Sequence, residues 1–83
     1  MMGNQHEVHL PDLGEIDRVT VVSWLANVGD TVNEGDDLVE VETEKTTFVV
    51  PAPHDGRLVR VAAEQGDEVF AGGLLGELEP TSA

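Results

Sequence analysis

The chain repeats itself at a shift of 37 residues, and this constrains its fold more than any other feature. Under that shift Gly29-Asp30 falls on Gly66-Asp67, Val32 on Val69, Gly35 on Gly72 and Leu38 on Leu75. Glu40, Val41 and Glu42 fall on Glu77, Leu78 and Glu79; upstream, Val21-Val22 falls on Leu58-Val59 and Ala26 on Ala63. The matches include the turn residues and the apolar residues between them, so it is a backbone path that is repeated. Two similar units cover roughly 17–42 and 54–79. A unit this small cannot bury its own apolar face, so the two must pack on each other.

The units are built from strands. Ten or more residues with apolar positions at i, i+3, i+4 and i+7, the signature of an amphipathic helix, are hard to find. Val, Thr, Leu and Ile come in short runs separated by Gly, Asp, Asn and Pro, which predicts strands over 7–10, 19–25, 37–42, 46–50, 57–62 and 74–79, with very short ones at 31–32 and 68–69. Val21-Val22 and Trp24-Leu25 break simple alternation and predict a bulge. The expected core comprises Val21, Leu38, Val41, Leu58, Val61, Val69, Leu75 and Leu78, with Trp24 and Phe48 as packing residues. The simplest product is a flattened β-barrel or sandwich with approximate two-fold symmetry.

The join between the units is the informative segment. Leu38-Val39-Glu40-Val41-Glu42 leads in, Thr46-Thr47-Phe48-Val49-Val50 leads out, and Thr43-Glu44-Lys45 lies between. Both arms suit strands, so the middle reads as a hairpin tip. It lacks the Asn-Gly or Asp-Gly of the tightest hairpins, which favours a type I over a type I′ turn. The tip therefore exposes Lys45, the only lysine, with Glu40, Glu42 and Glu44 nearby. Most single surface lysines are solvated charges. This one differs in being alone and in sitting at the junction of a repeat.

Composition closes off other classes. At 83 residues the chain is one small domain, burying only about 60% of its unfolded surface, and has little room for a substrate cleft between lobes. It has no cysteine, hence no disulfide, thiolate metal site or thiol nucleophile. Seventeen acidic residues against four basic ones give a net charge of −13, which disfavours phosphate backbones and anionic membrane surfaces. No apolar run approaches the roughly 18 residues of a membrane span, and the start of the chain has no secretory pattern. These features lead us to expect neither nucleic acid nor membrane as a partner. The expected setting is the cytoplasm, or the mitochondrial matrix in a eukaryote. His6, His9 and His54 are the potential metal ligands, but nothing in the sequence places His54 beside the other two, and no metal site is expected.

Pro11-Asp12-Leu13-Gly14-Glu15, Trp24-Leu25-Ala26-Asn27-Val28-Gly29-Asp30-Thr31-Val32, Glu40-Val41-Glu42-Thr43-Glu44-Lys45-Thr46 and Val50-Pro51-Ala52-Pro53-His54-Asp55-Gly56 together resemble the lipoyl domain of 2-oxo acid dehydrogenase complexes, of the dihydrolipoamide acyltransferase type. The resemblance covers about residues 7–79, leaving 1–6 and 80–83 as an expected flexible start and a flexible tail or linker. It implies an all-β fold of two pseudo-two-fold related four-stranded sheets, a barrel-sandwich hybrid. It also implies that Lys45 carries lipoic acid in amide linkage, with Glu42, Thr43, Glu44 and Thr46 as flanking recognition residues. The usual neighbours of that lysine in the family are Asp before and commonly Ala after; here they are Glu44 and Thr46.

The implied role is that of a carrier without catalysis of its own, modified by a lipoate ligase or lipoyl transferase. The arm would take an acyl group from a thiamine-dependent decarboxylase, deliver it in an acyltransferase core and be reoxidised by a flavin-dependent dehydrogenase. The related biotin carboxyl carrier domain shares fold and lysine, but its lysine is typically flanked by methionines, and the only methionines here are Met1 and Met2. A glycine-cleavage carrier is longer and carries additional helix. An alternative of another class is an unmodified β-sandwich adaptor in which Lys45 is only a surface charge.

Overall fold

Short β-branched runs punctuated by Gly and Asp build eight strands in the computed structural model, which describes residues 6–11, 14 and 17–80. They are β1 His6–His9, β2 Arg18–Trp24, β3 Thr31–Val32, β4 Asp37–Glu42, β5 Thr47–Pro51, β6 Gly56–Val61, β7 Glu68–Phe70 and β8 Leu74–Glu79. Three of the expected strands match in full and the others shift by a residue. His6 opens β1, inside the segment expected to be flexible. The rest of the expected flexible start, all of the tail beyond Pro80, and Asp12, Leu13 and Glu15 of the first motif lie outside the described residues.

Two antiparallel four-stranded sheets form a sandwich, ordered β1-β8-β6-β3 and β5-β4-β2-β7. The two orders are one order under the repeat: β4 maps to β8, β2 to β6, β7 to β3 and β5 to β1. The hydrogen bonds repeat as well. Asp30 N–H donates to Asn27 O and Asp67 N–H to Glu64 O, both at 2.9 Å. In the same turns Asn27 N–H and Glu64 N–H donate to the carboxylates of Asp30 and Asp67, again both at 2.9 Å. Gly29 and Gly66 sit at φ 101° and 92°, a left-handed conformation that a Cβ opposes, which is why Gly recurs there. The expected bulge lies between Val21 and Ser23, and its copy lies between Leu58 and Arg60.

Sixteen apolar side chains are buried, and no polar or charged residue is buried among those described. Burying each Val or Leu stabilises by about 1.5–3 kcal/mol. Of the expected core, seven residues are buried, and Val61 packs half-exposed against them with Trp24 and Phe48. The 37-residue shift does not extend to β1, and the expected core omits Val8 and Leu10 there, as it omits the buried Val19, Val32, Val39 and Val50. Val8 faces Gly76 while Val50 faces Val39; since Val39 and Gly76 are counterparts, β1 matches β5 at a shift of 42. Leu10 and Ala52 then correspond, and their N–H groups donate to Gly73 O and Asp36 O, each at 2.8 Å.

Candidate functional site

The β4–β5 hairpin carries the only lysine. Its last strand pair is Glu42 with Thr47, leaving residues 43–46 as the turn. Thr43 N–H donates to Thr46 O at 2.7 Å. The return bond comes from a side chain: Thr43 Oγ1 accepts from Lys45 N–H at 3.1 Å and from Thr46 N–H at 3.0 Å. A threonine hydroxyl can replace a backbone carbonyl in this way and so fix a turn. No described residue other than glycine has positive φ, so the turn avoids the left-handed pair that type I′ requires. The hydroxyl brace was legible only as a Thr at the first turn position, and the sequence reading took Thr43 as a recognition residue alone.

The side chains of the tip point outward. Glu44, Lys45 and Thr46 are exposed, Thr43 is half-buried, and Glu42 is exposed at the end of β4. Lys45 lines a depression with Asp17, Arg18, Thr20, Glu42 and Glu68. The acidic surround of the tip is therefore Asp17, Glu42, Glu44 and Glu68. Glu40 lies further back, half-buried within β4.

Charge pairing separates Lys45 from the other cations. Arg18 meets Glu68 at 3.7 Å, Arg57 meets Glu79 at 2.6 Å and Arg60 meets Glu77 at 3.1 Å. Among the described residues Lys45 is the one Lys or Arg whose side chain makes no ion pair. It combines an unengaged amine with a braced backbone, as an attachment point requires: accessible at the nitrogen and fixed beneath it.

The other potential ligands lie elsewhere. β5 runs away from the tip to Pro51, the loop at 52–55 feeds β6, and Arg57 of β6 pairs with Glu79 of β8. β8 ends and β1 begins at that far pole. There the structure corrects the sequence reading of the histidines. The β5–β6 loop returns to where β1 starts, and His54 Nε2 lies 3.1 Å from His6 Nδ1. His9 is apart from both, with Nδ1 2.8 Å from Gly72 O and Nε2 2.9 Å from Glu7 Oε1. Both contacts call for N–H donors, so the Glu7 hydrogen bond first and the Gly72 carbonyl second raise the His9 pKa above 6.5. Among the described residues no three His, Asp or Glu side chains converge on one point.

Comparison with known proteins places the fold. The biotin/lipoyl family model, described as biotin-requiring enzyme, matches residues 6–78. The solution structure of the lipoyl domain of the 2-oxoglutarate dehydrogenase complex from Azotobacter vinelandii superimposes with a TM-score of 0.70 at 31% identity, covering 93% of this chain and 96% of that one. The chain belongs to the lipoyl-domain family.

As a lipoyl domain it is a non-catalytic carrier module. It is 40% identical over 79 residues to the lipoamide acyltransferase component of the branched-chain alpha-keto acid dehydrogenase complex of Pseudomonas aeruginosa, covering 94% of this chain and 18% of that protein. It is likewise 40% identical over 78 residues to the dihydrolipoyllysine-residue succinyltransferase component of the 2-oxoglutarate dehydrogenase complex of Bartonella vinsonii, with 93% and 19% covered. The chain thus spans under a fifth of these two curated relatives. The fold is shared more widely: a segment of a single-chain, multi-domain long-chain acyl-CoA carboxylase superimposes with a TM-score of 0.78 at 27% identity, covering 99% of this lipoyl domain and 8% of that chain.

Proposed function

We propose that Lys45 Nζ carries lipoic acid in amide linkage, and that the tip presents it in turn to the active sites of a 2-oxo acid dehydrogenase complex. The observation that carries this reading is the unpaired amine on a hydroxyl-braced turn within a lipoyl-domain fold. The residues present suit the group: an exposed nitrogen, no competing carboxylate within ion-pair reach, and no second lysine to share the modification. When bound, lipoic acid supplies a dithiolane able to carry an acyl group and two electrons.

The chain's own contribution is position. A lysine amine on an exposed turn is not a self-activated nucleophile. A lipoate ligase or lipoyl transferase must take its proton and present an activated lipoyl carbonyl. The Lys45 C–N bond then forms as the activating group leaves with its electron pair. The Thr43 brace holds the Lys45 backbone in one geometry for that encounter. Thereafter the tether raises the local concentration of the carried group at each catalytic partner. Those partners are a thiamine-dependent decarboxylase, an acyltransferase core and a flavin-dependent dehydrogenase, with the cytoplasm or mitochondrial matrix as setting. The acidic surround of the tip steers it toward basic surfaces around partner active sites.

The same fold in an acyl-CoA carboxylase makes biotin the second reading, and one experiment separates the two. Intact mass of the chain from a lipoate-competent host is expected to rise by one lipoyl group, and Lys45→Arg is expected to abolish the rise with the circular dichroism unchanged. A mass matching biotin, no rise beside a modified control domain, or a rise that survives Lys45→Arg each overturns the proposal.

A further inference from the structure

We propose that His6 and His54 form a binding site for a borderline divalent cation, with zinc as the reference ion, at the pole opposite Lys45. The inference starts from tautomers. His54 Nδ1 lies 2.7 Å from the Asp55 carbonyl oxygen, which only accepts, so Nδ1 carries the proton and donates it. His54 Nε2 is then the nitrogen with the free lone pair. It faces His6 Nδ1 at 3.1 Å.

Without metal, His6 donates Nδ1–H into that lone pair. His6 is exposed, and its Nε2 has no hydrogen-bond partner among the described residues, so the proton can sit on Nε2 instead and leave Nδ1 as a second ligand. Two Zn–N bonds of about 2.0–2.1 Å to nitrogens 3.1 Å apart subtend about 100°, between the octahedral and tetrahedral angles. The rings meet edge to face, with centroids 4.7 Å apart and planes at 76°, so they do not stack across the space between them. A ligating histidine ordinarily donates its other N–H to a carbonyl or carboxylate, fixing the ring; the Asp55 carbonyl already does this for His54. Imidazole pairs select zinc, copper or nickel over calcium or magnesium, which prefer oxygen. No third His, Asp or Glu joins the pair among the described residues, so water completes the coordination.

The site ties two elements 48 residues apart: β1, an edge strand of one sheet, and the loop that follows β5, an edge strand of the other. A cation held there staples the edge strand to the body, and its binding adds to folding stability. His9 is the internal control, because both of its ring nitrogens are already committed to Gly72 and Glu7.

The experiment is a titration of the full chain with zinc chloride, followed by histidine ring NMR and by thermal unfolding. The expected result is one submillimolar site, His6 and His54 ring signals that move together while His9 stays, and a melting temperature that rises by a few degrees. His6→Gln and His54→Gln should each weaken binding at least about tenfold, whereas His9→Gln should leave it unchanged. Circular dichroism of each variant confirms that the fold persists. Zinc that moves neither ring, or binding that survives His54→Gln, overturns the proposal.

Discussion

In the first half of the molecule positions 19 and 39 are buried valines; in the second half their counterparts are Gly56 and Gly76. The exchange at Gly76 is matched by another nearby. Trp24 stands where the second half has Val61, and its indole lies over Gly76, with Cη2 3.0 Å from where a Cβ would project. The indole N–H is satisfied by Ala63 O at 2.7 Å. The first half thus places a large ring against a glycine of the second, while the symmetry-related pair is Val61 of the second half and Val39 of the first. The comparison teaches which parts of a duplicated fold are free to drift. Backbone devices such as the turn glycines and the Asp caps are copied closely, because each answers a local stereochemical demand. Side-chain volumes are redistributed, because the core requires only that their sum fill the space.

The comparison can be broken most forcefully at Gly76. Gly76→Val gives the second half the residue of the first, but its Cβ would meet Arg60 O at 2.6 Å and the Trp24 ring at 3.0 Å. We expect a loss of about 3 kcal/mol, the upper end for overpacking, with red-shifted Trp24 fluorescence, both read in a urea titration. A variant as stable as the parent would show that the Arg60 backbone and the indole can both give way, and the volume argument would fail.

A matched pair sharpens the shared frame. Asp30→Ala and Asp67→Ala remove the same turn contact from each half and should each cost about 1 kcal/mol. Losses that differ severalfold would mean that the two turns are alike in outline only.

The smallest effect is expected at His9, which has no imidazole counterpart in the other half. Its folded-state pKa is raised above 6.5. The stabilisation it brings is therefore fully present below its unfolded pKa and is lost as pH rises through the folded one. An NMR titration should show His9 titrating above the unfolded chain, and Glu7→Gln should remove most of that difference. An unchanged titration in Glu7→Gln would transfer the cause to the Gly72 carbonyl.

Much of this was legible in the sequence because turn chemistry is local. Gly29-Asp30 and Gly66-Asp67 announce the repeat, and Lys45 falls between two strand-forming arms. What escaped is non-local. β1 follows β5 at an offset of 42 rather than 37, so Val8, Leu10 and the approach of His6 to His54 left no periodic trace. The brace in the lysine turn escaped for a different reason. It depends on which way one hydroxyl faces, and a threonine in a sequence reads alike whether it closes a turn or points into water.

The placement of the strand ends bears on how such a module works under a leash. β8 finishes and β1 starts at the pole away from Lys45, so a polypeptide continuing past either end pulls from behind the sandwich. On the proposed carrier reading, the body then becomes a segment of the lever, adding its own length to the reach of the amine and keeping such a leash away from the end that Lys45 occupies.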